Sequence, residues 1–256
     1  MKKFLSIIVL ACIAWSAYGA DTGEVVELFA CHLKEGKTMA DFDAAAAAWK
    51  KDVENVAAAK NYFAAVMVPF RAKAEYDLVW IGSNPNLNDW AASAGWTRTA
   101  AGQVSQDRFD KVAICDSGLH FSTTLYEAIA EGKPGDPPAA LEGYGCTLNK
   151  GKTMADVTAA EKTWIAAVNA LKAKTPDLAK FSTYRYAPLL ADTGYDLIYL
   201  SVNHDLAAYA ATESAWAASA EGSKADAAIA EAETCKSGLW LGHIVRQPAP
   251  AQPAHQ

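Results

Sequence analysis

The sequence predicts an α+β chain made of two tandem copies of one βαββαβ unit, each of about 100 residues. Three observations predict it. Gly36-Lys37-Thr38-Met39-Ala40-Asp41 recurs unchanged as Gly151-Lys152-Thr153-Met154-Ala155-Asp156. Further identities keep step along both halves: Cys31 with Cys146, Trp49 with Trp164, Pro69 with Pro188, Tyr76-Asp77-Leu78 with Tyr195-Asp196-Leu197, Trp96 with Trp216, and Cys115 with Cys235. Each copy also repeats one alternation of strand-like and helix-like segments.

The elements follow in order. Met1-Lys2-Lys3, the apolar run Phe4–Trp15 and the small residues Ser16–Ala20 have the grammar of a secretory signal peptide, so residues 1–20 are expected to be removed, with a cut after Gly19 favoured. Residues 21–130 form the first unit. Val25–Leu33 is a strand. Thr38 with Asp41 three residues on is a helix-capping pair, after which Phe42, Ala46, Trp49, Val53 and Val56 share a helical face. Tyr62–Phe70 and Tyr76–Ser83 are strands, a helical stretch broken near Gly95 runs from about Asn88 to Val112, and Leu119–Leu125 is the last strand. Residues 131–142, with Pro134-Gly135-Asp136-Pro137-Pro138, are the linker. Residues 143–246 repeat the unit, with Val157, Ala160, Trp164, Val168 and Leu171 as the helix face, and residues 247–256 are a proline-rich disordered tail.

The βαββαβ order is the ferredoxin-like one, a four-stranded antiparallel sheet with two helices on one face. First and last strands are neighbours in it, which places Cys31 near Cys115. With repeat symmetry, the expected bridges are Cys31–Cys115 and Cys146–Cys235. Cys12 leaves with the leader, and an even number of remaining cysteines suits an oxidising compartment, periplasm or medium.

Two such units in tandem resemble the dimeric α/β barrel superfamily, in which two sheets pack face to face. The resemblance rests on the order of elements and the duplication, covers nearly all of the mature chain, and carries over no functional residue. Its members include antibiotic-biosynthesis monooxygenases, EthD-like, NIPSNAP-like and stress-responsive proteins, and haem-handling enzymes. It therefore implies a pocket between sheet and helices rather than one activity.

Composition and motifs exclude more than they assign. The formal net charge of −6 falls to about −8 without Lys2 and Lys3, and no basic cluster is present, so neither nucleic acid nor, after leader cleavage, a membrane is an expected partner. Gly36-Lys37-Thr38 and its repeat stand where a phosphate-binding loop would, yet Cys31 and Cys146 occupy the place of its first glycine; a helix cap is the reading. No hydrolase triad, paired glycosidase carboxylates or zinc motif stands in a convincing context, so no catalytic or metal residue is assigned. The repeated Asp77 and Asp196 are expected to be structural.

The candidate ligand contacts are Tyr76, Trp80, Tyr184, Tyr186, Tyr195 and Tyr199, expected with Leu78 and Leu197 on the sheet face away from the helices, and His120 and His243 on the last strands. They would line an interior suited to a small apolar or aromatic ligand, or fill the core between the sheets. The leading expectation is an exported, disulfide-stabilised protein that binds such a ligand, or serves a stress or interaction role, without chemistry and without a cofactor. The alternatives are an oxygenase-like or haem-handling enzyme with one functional pocket, and a purely structural or partner-binding module without a cavity. Specific function is expected where the copies differ. No pattern fixes the oligomeric state.

Overall fold

The computed structural model describes residues 23–128, 132–175 and 180–248; the expected leader lies outside them, as does the tail from residue 249. The first unit comprises β1 (Val25–Leu33), α1 (Met39–Val53), β2 (Phe63–Arg71), β3 (Leu78–Asn84), α2 (Leu87–Trp96), α3 (Ala100–Asp110) and β4 (Ala113–Glu127). The second repeats the order as β5 (Ala139–Leu148), α4 (Met154–Lys174), β6 (Phe181–Leu190), β7 (Leu197–Asn203), α5 (Leu206–Ala217), α6 (Ala220–Ala232) and β8 (Glu233–Arg246).

The second helical stretch of each unit is two helices, broken in the first unit just after Gly95, as expected. The side chain of Thr99 accepts the N–H of Gly102 at 3.2 Å, and Ser219 that of Gly222 at 2.8 Å, so a fresh N-cap restarts the helix in both units. The last strands begin well before the expected Leu119, because Ala113 already pairs with Leu33. β5 begins at Ala139, inside the segment expected to be linker, where it pairs with Gly242 of β8.

The strands close into one barrel in the order β1-β3-β2-β8-β5-β7-β6-β4, every pair antiparallel. The β2–β8 and β4–β6 seams join the units. One apolar cluster, built from strand residues such as Val26, Met67, Ile81, Leu141, Leu200 and Trp240, fills the barrel. Two others combine strand and helix residues, around Phe42 and Leu78 in the first unit and around Val157 and Leu197 in the second. The sheet is thus buried on both faces.

That double burial corrects the expected faces. Leu78 and Trp80 pack under the helices of the first unit, and Leu197 and Tyr199 under those of the second; Val79, Ile81, Ile198 and Leu200 point into the barrel. Every residue of β3 is buried, so the strand offers no apolar–polar alternation from which to tell its two sides.

The repeated hexapeptide is a helix start. Gly36 and Gly151 have φ of +73° and +82°, a left-handed conformation that favours glycine. The Asp41 carboxylate accepts from Thr38 N–H at 2.9 Å and Thr38 Oγ1 at 2.8 Å, and Asp156 accepts from Thr153 at 2.8 and 2.7 Å. These bonds hold both aspartates below the usual carboxylate range. Thr38→Ala and Thr153→Ala are each expected to lower stability by about 1 kcal/mol in urea unfolding; no change in either would remove the capping role.

The covalent links and corners repeat as well. Cys31 lies directly opposite Cys115 and Cys146 opposite Cys235, and each pair is disulfide-bonded. Asp77 accepts the backbone N–H of Leu33, and Asp196 that of Leu148, both at 2.8 Å, tying the loop before β3 or β7 to the end of the unit's first strand.

Candidate functional site

Each unit encloses a cavity between the outer face of its sheet and its helices, about 520 Å³ in the first and about 560 Å³ in the second. Cavities of this size do not suit the purely structural module with filled layers. In the first, Trp80 meets Trp49 edge-on at 5.0 Å and Phe109 at 5.4 Å, and its indole N–H donates to the Tyr62 hydroxyl at 3.1 Å. The wall is largely aromatic, and its charged members are Glu27, Lys34 and Asp110.

The second cavity is built differently. Glu161 projects from α4 and is 4% exposed. Arg185 of β6 reaches it from below through Nη1, at 3.0 Å from Oε1 and 2.7 Å from Oε2, while Nη2 donates to Thr123 Oγ1 of β4 at 3.3 Å. The Tyr199 hydroxyl donates to Glu161 Oε1 at 3.1 Å. Glu233, where α6 gives way to β8, is 2% exposed, and neither carboxylate oxygen receives a hydrogen bond. Tyr199 is near it, but its single proton is committed to Glu161. Burial pushes the Glu233 carboxyl up to about 7, opposed by the neighbouring Tyr199 hydroxyl and the Arg185 charge and reinforced by the charge of Glu161.

More carboxylates stand towards the mouth. Glu213 of α5, which keeps contact with water, is pushed up to about 7 by partial desolvation and by the charges of Glu142 and Asp226. Burial raises Glu142 of β5 as well, opposed by hydrogen bonds from Tyr144 and Tyr209. Asp226 accepts from the Trp216 indole at 3.0 Å. Trp164 and Trp216, 6.2 Å apart, form an aromatic wall.

Position by position, these polar groups replace apolar or neutral residues of the first unit. Glu161 stands where that unit has Ala46, Arg185 where it has Val66, Tyr199 where it has Trp80, Glu213 where it has Ser93, and Glu233 where it has Ala113. The strand registers confirm the matching: Met67 pairs with Val79 as Tyr186 does with Ile198, and Leu33 with Ala113 as Leu148 does with Glu233.

Of the residues expected to contact a ligand, Trp80 and Tyr199 line cavities, one in each unit. The others are placed elsewhere. Tyr184 and Tyr186 pack in the barrel, where Tyr76 stacks on Trp240 at 5.7 Å. The Tyr195 ring covers Gly145 so closely that a Cβ there would lie 2.5 Å from it. His120, opposite Val26, is fully buried within the barrel, and burial lowers its pKa; His243 sits outside, 40% exposed, with Nε2 3.8 Å from Asp43. Closing the sheet seals the face that a lone ferredoxin-like sheet would leave open. Glu161, Glu213 and Glu233 were not anticipated; an acidic residue facing an alanine or serine in the other copy was the signal that marked them.

Among the described residues, the only grouping of metal-ligand atoms is Cys146, Glu233 and Cys235, and its two sulfurs are bonded to each other. No helix among the described residues is long and apolar enough to cross a membrane.

No protein-family model matches the chain, and no curated protein matches its sequence. Solved structures match its shape. A monooxygenase candidate from Fusobacterium nucleatum superposes with a TM-score of 0.57 at 10% identity, over 88% of this chain and 93% of the other. A monooxygenase candidate from Lactobacillus acidophilus gives 0.55 at 9% identity, over 88% and 95%, and a chlorite dismutase variant from Candidatus Nitrospira defluvii gives 0.52 at 10%, over 87% and 92%. Neighbours with such names overturn the expectation of a binder without chemistry. The shared architecture is the dimeric α/β barrel, completed here by two ferredoxin-like units on one polypeptide.

Proposed function

We propose that the chain is an oxygenase-like enzyme acting in the second cavity, with Glu233 as the proton acceptor. The observation that carries this reading is the confinement of a buried polar set to one of two duplicated cavities. A buried carboxyl near 7 is matched to taking a proton at neutral pH. Arg185 positions Glu161, and Glu161 accepts the hydrogen bond of the Tyr199 O–H, which leaves the lone pairs of that hydroxyl for a donor in the cavity. Trp164 and Trp216 offer an aromatic substrate its apolar contact.

Haem does not suit these residues. Among the described residues, no histidine or methionine lines either cavity, and the lining cysteines are in disulfides. Burial raises the Tyr199 phenol far above its ordinary range, and Glu142, Glu213 and Glu233 would oppose the propionates. No step is assigned to haem.

A dihydroxyaromatic substrate balances without an added reductant, since hydroquinone and one O2 give hydroxyquinone and one water. Removal of the phenolic proton by Glu233 makes the ring electron-rich enough to react. The test is oxygen uptake at an electrode with a series of benzo- and naphthohydroquinones, corrected for autoxidation. Uptake above background that Glu233→Gln abolishes is the expected result; uptake no faster than in buffer across the series defeats the reading.

A further inference from the structure

We propose that the second cavity takes a substrate with a positive charge, an amine or quaternary ammonium on an aromatic body, seated with its cation among Glu142, Glu213 and Asp226. The inference deepens the proposed function by naming a substrate class, and it rests on the placement of the site in this cavity.

Charge balance is the first argument. Five carboxylates line the cavity: Glu142 of β5, Glu161 of α4, Glu213 of α5, Asp226 of α6 and Glu233 of β8. Among the described residues, no lysine or arginine lines it. Arg185 lies beneath and is engaged by Glu161. Lys152 and Lys174 form their ion pairs with Glu231 and Glu221, which are not part of the lining. The tyrosines facing these carboxylates, Tyr144, Tyr199 and Tyr209, are neutral at physiological pH because burial raises each of them.

The second argument is independent of the cluster. Glu233 is 2% exposed, lines the cavity and has no hydrogen-bond partner at either oxygen. An unpartnered buried carboxyl is costly, and a donor or cation entering the cavity relieves that cost. Mutual repulsion contributes to the raised Glu213, and a cation would reverse it.

Geometry selects an organic cation over a metal ion. Among the described residues, no three of these carboxylates bring oxygens within coordinating distance; the only compact set includes the disulfide sulfurs. Spaced carboxylates beside the Trp164 and Trp216 rings suit a diffuse ammonium charge, which gains from both ion pairing and the ring faces. The first cavity is the built-in contrast. It has Ser93, Gln106 and Ala113 where the second has Glu213, Asp226 and Glu233, and its Glu27 already accepts the Trp90 indole N–H at 3.1 Å.

The experiment is titration calorimetry of the full mature chain with phenyltrimethylammonium, against its uncharged isostere tert-butylbenzene, with tryptophan fluorescence as a second signal. The cation is expected to bind with one equivalent per chain, at least tenfold more tightly than the isostere. Its affinity should rise about tenfold from pH 6 to pH 8, with proton release near neutrality, as Glu213 and Glu233 ionise. Glu213→Gln with Asp226→Asn, both at the solvent-exposed mouth, should weaken binding about tenfold or more at low salt. Equal affinity for the isostere, two equivalents, or indifference to both pH and the double variant would overturn the proposal. Cation binding without oxygen uptake by any hydroquinone leaves it standing and removes the oxygenase reading. Uptake of neutral hydroquinones by a protein that phenyltrimethylammonium neither binds nor inhibits does the reverse.

Discussion

Glu233→Gln is expected to lower kcat by about 10²- to 10⁴-fold, the range for loss of a general base, while making the protein more stable at pH 8. The two effects share one cause. The folded-state pKa is about 7, against an ordinary 4.5, so the fold prefers the protonated acid. Between those values the folded chain binds more protons than the unfolded one, and stability falls as pH rises. Below pH 4.5 the carboxyl is neutral in both states and costs nothing through ionisation; above pH 7 the whole cost is present. A shift of this size corresponds to at most about 3 kcal/mol, so the glutamine variant should gain up to that amount over the native chain at pH 8 and little at pH 4. Urea unfolding at both pH values measures it. Full activity together with lost stability at pH 8 would mean that the carboxylate serves the fold rather than the reaction.

Arg185→Val is expected to cost about 3–5 kcal/mol, because it leaves Glu161 charged, buried and uncompensated. The Arg185 and Glu161 side chains are 17% and 5% exposed, so water cannot take the place of the missing partner. The double variant Arg185→Val/Glu161→Ala installs the residues that the first unit has at these positions, Val66 and Ala46. It should recover most of the lost stability, since a well-packed apolar pair is often no worse than a buried ion pair. It should not recover activity, because Tyr199 loses the acceptor that orients its hydroxyl. A double-mutant cycle in chemical denaturation measures the coupling. Simple additivity of the two substitutions would show that the pair does not act as a unit.

Duplication made the scaffold legible and the site obscure. Residues shared by both copies turned out to be helix starts at Thr38 and Thr153, strand corners at Asp77 and Asp196, and tryptophans such as Trp49 packed beside the sheet. The acidic excess of the second cavity lies in residues the copies do not share, Glu161, Glu213, Asp226 and Glu233, whereas Glu142, Trp164 and Trp216 have identical counterparts in Glu27, Trp49 and Trp96. Glu161 falls beside the apolar face of its helix, where a single-sequence reading takes it for a solvated position; only Arg185, arriving from β6, shows it to be buried. Glu233 opens a strand whose start local pattern placed later, so it had no assigned face at all.

The sequence by itself determined the order of the elements and the duplication, because local periodicity, turn chemistry and repeat identity are all short-range or register-based; the single closed barrel was implied only by resemblance. Which face of each strand meets helices and which meets the other sheet was decided by tertiary structure alone. Residues two apart share a side, but when Leu78 and Val79 are both buried, pattern cannot say which side is which. The same closure that sealed His120 in the barrel moved the accessible space to the outer face of each sheet, and so decided that Glu233 and Tyr199, rather than the histidines, line the candidate site.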